Sequence, residues 1–249
     1  MRSICLPLLV TCLLVSSSMS SSAVAEERVY ELRTYTTNEG KLDNLHARFR
    51  DHTTKLFEKH GIENVAYWTP VGEGADNTLV YIISHASNEA AQKSWAGFIG
   101  DPEWKKVAAE SEKDGKILSK RPDAVYMTPT DFSPQNFDSA DEARLFELRK
   151  YTTSEGRLPA LLQRFRDGEL KLFEKQGMTN VAYFVPQETP NTLIYVVAHK
   201  DAEAMKKSWE AFRNDSEWQQ LWEQSTKDGK IVIKVDSQVL QPVDYSPVK

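Results

Sequence analysis

The chain carries one segment twice, and this duplication limits its possible folds more than any other feature. Residues 29–70 and 145–186 align without a gap at an offset of 116, with well over half of the positions identical. After a two-residue deletion the match resumes, with 77–104 against 191–218. It continues through Lys113-Asp114-Gly115-Lys116-Ile117 and Lys227-Asp228-Gly229-Lys230-Ile231. The tails agree as well, Asp131-Phe132-Ser133-Pro134 with Asp244-Tyr245-Ser246-Pro247. Solenoid repeats recur every 20–50 residues, so a period of about 115 is that of a small domain. The 249 residues are therefore read as a tandem pair, 26–137 and 138–249, joined where Pro, Asn, Asp and Ser cluster near 133–143.

Each copy reads β-α-β-β-α-β. Residues 28–36 alternate and are rich in Val, Tyr and Leu, which predicts a strand. Over 38–60, Leu42, Leu45, Phe49, Leu56 and Phe57 keep the helical period, and Gly61 stops the helix. Short strands follow at 64–70 and 77–85, then a helix over 89–99. Asp101-Pro102 caps and opens a further helix that runs to about 114. A last strand covers 122–129. Paired strands between helices give an α+β sheet with helices on one side. One copy alone would leave its other sheet face bare, and two copies in one chain can cover each other.

The first 25 residues are expected to be an export signal rather than part of the fold. Arg2 supplies the positive end, residues 4–15 the apolar run, and Ala23-Val24-Ala25 the cleavage site. Lipoprotein cleavage before Cys12 is disfavoured by the bulk of Thr11. Both cysteines, Cys5 and Cys12, fall inside this leader, so the mature chain would hold no disulfide, thiolate nucleophile or cysteine metal site. The expected location is periplasmic or secreted, with no membrane attachment after cleavage.

The opening Val29-Tyr30-Glu31-Leu32-Arg33-Thr34-Tyr35 resembles the NIPSNAP domain. So do Tyr67-Trp68 before Pro70, the Ser94-Trp95 pair and Asp101-Pro102-Glu103-Trp104. The second copy departs slightly, with Leu145-Phe146, Phe184 and Asp215-Ser216. The resemblance covers nearly all of 29–245. It implies two ferredoxin-like βαββαβ repeats packed sheet to sheet as an intrachain dimeric α/β barrel. Function is not implied to the same degree, because related barrels include cofactor-independent monooxygenases, haem-binding proteins and isomerases.

Several side chains could carry chemistry. Alternation puts Glu31, Arg33 and Tyr35 on one strand face, and Glu147, Arg149 and Tyr151 on its counterpart. If this row faces the barrel interior, either arginine could hold an anionic ligand, or the Glu and Arg could form a structural ion pair between the sheets. On the first helix, His52 and Thr53 fall among apolar residues by spacing, and Gly168 and Glu169 take the same slots in the second copy. A glutamate on such a face is a candidate general acid or base, and a histidine there titrates near neutrality. His85 and His199 occupy matching strand ends, as bases at a pocket mouth or as bonded edge residues. Tyr67, Trp68 and Tyr183 could line a cavity for a flat ligand or simply build the core.

The remaining signals are exclusions. A formal charge of -5 argues against nucleic acid as a partner. There is no HExxH, GxSxG, P-loop or GxGxxG motif, so no metal or organic cofactor is expected. The expected activity is binding or transformation of a small apolar or aromatic compound between helix and sheet. The alternatives are a structural or interaction protein, with further homo-oligomerisation possible, and, as a minor reading, haem binding.

Overall fold

A computed structural model describes residues 28–138, 140 and 144–249, so the expected leader and its cysteines lie outside the described residues. Each repeat supplies four strands. Repeat 1 contributes β1 (Val29–Thr36), β2 (Glu63–Pro70), β3 (Thr78–His85) and β4 (Asp123–Pro129). Repeat 2 contributes β5 (Leu145–Thr153), β6 (Thr179–Pro186), β7 (Thr192–His199) and β8 (Val232–Pro242). They close into one antiparallel barrel in the order β1-β3-β2-β8-β5-β7-β6-β4. Closure gives every strand a neighbour on both sides, with three residue pairs at each seam, which neither repeat could achieve alone.

The fourth strand of each repeat makes the closure. β4 lies along β1 of its own repeat and then pairs Met127–Pro129 with Phe184–Pro186 of β6. β8 does the converse, lying along β5 and pairing Leu240–Pro242 with Trp68–Pro70 of β2. Beyond these strands each tail crosses onto the other repeat. Ser133 Oγ accepts from the Tyr183 N–H at 2.9 Å, and Ser246 Oγ accepts from the Tyr67 N–H at 3.0 Å. Phe132 stacks on Phe165, and Tyr245 packs against Phe49 and Tyr67.

The barrel interior is a packed core and not a channel. Tyr30, Leu32, Trp68, Val80 and Ile82 from repeat 1 meet Phe146, Phe184, Val196 and Leu240 from repeat 2. Two further cores fill the space between the outer sheet faces and the helices. A fully buried large apolar side chain contributes roughly 1.5–3 kcal/mol, so three such cores hold the described residues together, among which there is no cysteine.

The helices sit where the sequence period puts them, with one departure. Instead of one helix over 38–60 there are α1 (Leu42–Arg48), a wider π-helical turn (Phe49–Thr53) and α2 (Thr54–Lys59). Repeat 2 has the same arrangement in α5 (Leu158–Arg164), Phe165–Glu169 and α6 (Leu170–Lys175). The extra residue in the wide turn rotates the faces on either side of it. Gly61 ends α2 as expected, at a φ of 74° that suits glycine. The outer layer is completed by α3 (Asn88–Gly100), α4 (Pro102–Ser111), α7 (Ala202–Asn214) and α8 (Ser216–Ser225). Asp101 caps α4 by accepting from the Glu103 N–H at 2.8 Å.

Candidate functional site

The polar row of β1 faces the helices, not the barrel interior. Its residues close on each other within one repeat, so the ion pair does not bridge the two sheets. Glu31, fully buried, accepts from Arg33 on its own strand, from Trp95 Nε1 at 2.8 Å and from His85 Nε2 at 3.3 Å. Arg33 lies 4.5 Å from the Trp95 ring centre and donates to the Tyr35 hydroxyl at 3.3 Å. Repeat 2 duplicates the cluster with Glu147, Arg149, Trp209, His199 and Tyr151. The Ser237 hydroxyl adds a donor to Glu147 at 2.5 Å.

Burial disfavours both carboxylates. Hydrogen bonds from the histidines and tryptophans and the adjacent guanidinium charges more than offset it. Glu31 is held below the usual carboxylate range, and Glu147 falls to about 2. Desolvation likewise opposes the charge on Arg33 and Arg149, yet the neighbouring tyrosine hydroxyls and carboxylates keep both firmly protonated. His85 and His199 are enclosed, with 1% of their surface exposed, and so are not at a pocket mouth. Apart from the Ser237 bond, each contact named here recurs in both repeats, which marks these clusters as ties between sheet and helices.

The expected aromatic wall divides. Tyr67 and Tyr183 lie in the helix-facing cores, stacked on Tyr81 and Tyr195 at 5.1 Å. Trp68 points the other way, into the barrel, against Phe146. Consecutive residues on a strand face opposite sides, so Tyr67 and Trp68 cannot line one cavity between helix and sheet.

The paired helix slots also separate. The π-helical turn carries His52 outward, leaving it exposed rather than on the apolar face, while Thr53 is buried. His52 lies beside a cleft of about 420 Å³ between α1 and α4, lined also by Arg48, Glu103 and Glu110. In repeat 2 the Thr53 slot holds Glu169, 1% exposed, accepting from Arg164 Nε at 2.8 Å. Burial pushes the Glu169 carboxyl up, against the opposing charge of Arg164.

Arg48 and Arg164 are residues that the sequence reading missed. They stand three positions after Leu45 and Leu161, on the buried helix face, and that spacing is the signal that could have found them. Each guanidinium lies against a tryptophan, Arg48 at 5.5 Å from Trp104 and Arg164 at 5.1 Å from Trp218. Their acidic partners come from different places. Arg48 meets Glu112, just beyond α4, at 3.6 Å. In repeat 2 the Glu112 slot is Thr226, and the carboxylate stands in the π-helical turn as Glu169.

This exchange accompanies a cavity of about 500 Å³ in repeat 2. Glu169 and Arg164 stand at its buried end. Phe212, Trp218 and Ile231 form apolar walls, and Trp222, Lys230 and Val235 stand at the solvent side. The cavity can hold a drug-sized molecule with one carboxyl group and one guanidinium within reach. Among the described residues, no group of three His, Cys, Asp or Glu side chains could hold a metal ion. No helix among them is long and apolar enough to cross a membrane.

Two βαββαβ halves closing one eight-stranded barrel, with all helices outside, define an α/β barrel of the dimeric type. The chain belongs to the NIPSNAP family, whose model matches residues 30–134 and again 146–247. No curated protein matches it. Among solved structures it is similar to a Fusobacterium nucleatum protein proposed to be a monooxygenase. That match has 13% identity, covers 88% of this chain and 94% of the other, and has a TM-score of 0.58. It is also similar to a mutant chlorite dismutase from Candidatus Nitrospira defluvii, at 8% identity over 87% of this chain and 92% of that one, with a TM-score of 0.54. A NIPSNAP protein of Agrobacterium tumefaciens is 18% identical, with 99% of its length on 45% of this chain and a TM-score of 0.39. At these identities the full-length likenesses speak for the fold alone.

Proposed function

We propose that this NIPSNAP chain is exported and binds a small, flat, largely apolar molecule in the repeat-2 cavity between helix and sheet. One observation carries the reading: a carboxyl group with raised pKa, Glu169, stands at the closed end of a cavity of about 500 Å³. Held in place by Arg164, the Glu169 carboxylate can take a proton from a ligand and, because burial raises its proton affinity, act as a stronger base than an exposed carboxylate. Proton transfer of the kind used by cofactor-independent monooxygenases or isomerases is the chemistry such a site offers, with no metal required. Four of the five histidines are engaged or enclosed and offer haem no ligand: His46 bonds Tyr245, His60 bonds Asp101, and His85 and His199 are enclosed, while His52 lies exposed beside a cleft lined by Arg48, Glu103 and Glu110.

N-phenyl-1-naphthylamine, a neutral flat fluorophore, tests the cavity. Its emission should rise and saturate at one site per chain. Val235→Trp, placed at the solvent side where a larger ring fits without disturbing the core, should weaken binding at least about tenfold. Saturable binding unchanged by that substitution, or no binding, would refute the reading. Comparing the N-terminus of the exported and cytoplasmic pools tests the leader, with cleavage expected after Ala25.

A further inference from the structure

The solvent side of the repeat-2 cavity has a composition that its repeat-1 counterpart lacks. Five large apolar side chains are conspicuously exposed among the described residues, and three of them belong to this region: Trp222 at 52%, Ile233 at 54% and Val235 at 47%. Trp222 and Val235 line the cavity itself, and Ile233 adjoins Val235 on β8. In repeat 1 the matching positions are Ala108, Ser119 and the Arg121-Pro122 pair. The scaffold therefore tolerates small or polar residues there. A half-exposed tryptophan beside two exposed β-branched residues forms an apolar patch of the kind that marks a binding surface.

The charges at the cavity are unequal. Arg164 and Glu169 answer each other at the closed end. Lys230 lines the solvent side, and no carboxylate among the described residues lies within ion-pair distance of its ammonium. One positive charge is left over, and it stands where the cavity opens. We infer that the ligand is an anionic amphiphile, with its apolar body against Phe212, Trp218 and Trp222 and its acidic group at Lys230. This assignment rests on the proposed ligand cavity and adds the ligand's class. A neutral flat molecule would fill the interior but leave Lys230 unanswered. An apolar chain longer than the cavity would continue onto Val235 and Ile233.

Competition against bound N-phenyl-1-naphthylamine tests this, with decanoate and decanol as matched probes. Decanoate is expected to displace the fluorophore about fivefold better than decanol at low salt, the effect of one exposed ion pair. Raising the salt should erode that preference. Lys230→Gln should abolish that preference. Trp222→Ala should weaken decanoate and decanol alike. If the fluorophore binds but decanoate and decanol compete equally, or Lys230→Gln leaves the preference intact, the anionic class is wrong and the cavity reading stands. If neither the fluorophore nor decanoate binds by fluorescence or calorimetry, both fall.

Discussion

Glu147 and Arg149 lie two residues apart on one face of β5 and are hydrogen-bonded to each other between sheet and helices, as Glu31 and Arg33 are on β1. Glu147→Gln keeps the size of the side chain and removes the charge facing Arg149. The guanidinium then stays buried without its counterion, at a cost of about 3 kcal/mol. Urea denaturation should show this loss, with Glu31→Gln behaving alike. A change within a few tenths of a kcal/mol would show that the pair contributes little.

Acid should weaken the fold through the same group. The carboxyl of Glu147 titrates near 2 in the folded chain, against an ordinary 4.5. Its stabilisation is complete above the ordinary value and is lost as pH falls from about 4.5 towards 2, on the order of 3 kcal/mol in total. Glu31 acts in the same direction. Glu169 has the opposite sign. Its raised value means that its contribution is fullest below the ordinary range and declines as pH rises towards its folded value. Stability measured across this range should fall less steeply in Glu147→Gln than in the parent. Carboxyl NMR should place Glu169 above the ordinary range and Glu147 below it.

The two arginines of the helix faces should tolerate relocation of their partners. Glu112→Thr removes the only carboxylate within ion-pair distance of Arg48 among the described residues, and should cost about 1 kcal/mol because Glu112 is partly exposed. Adding Thr53→Glu should restore that loss by rebuilding the repeat-2 arrangement. Glu169→Thr, at a fully buried position, should cost more, about 3 kcal/mol. A double variant less stable than Glu112→Thr alone would show that the two arrangements are not interchangeable.

Each tail should stabilise the repeat to which it does not belong. Tyr245→Ala removes an aromatic ring from the repeat-1 helix core, and Phe132→Ala does the same in repeat 2. Each should cost about 2–3 kcal/mol. The two sites share no partners, so the losses should add in the double variant. Hydrogen exchange in Tyr245→Ala should rise first in α1 and β2, far along the chain from the substitution. An increase confined to residues near 245 would contradict the crossed packing.

The fold was legible because a duplicated βαββαβ pattern leaves few ways to cover two sheet faces. Where strand faces point was less so. Period-two alternation separated Tyr30 and Leu32 from Glu31, Arg33 and Tyr35, but both faces of β1 are covered, so alternation alone could not say which faces inward. Glu31 is buried because its partners arrive from Trp95 and His85, distant in sequence. His52 was misplaced for a local reason: a π-helical turn has no reliable sequence signature, and one extra residue moved His52 into solvent and left Thr53 inside. Glu169 was legible as a mismatch between copies. Its meaning depended on Arg164 and on Thr226, whose relation appears only when α5 and α8 are seen together.

The crossing of each tail onto the opposite repeat also bears on how such a molecule can change. In a barrel made of two identical subunits, any new residue appears on both sides at once, and whatever it harms is harmed twice. Here one gene encodes unequal halves that stay locked together. Repeat 2 could acquire Glu169 and Trp222 while repeat 1 kept Thr53 and Ala108, a divergence closed to any strictly symmetric ancestor.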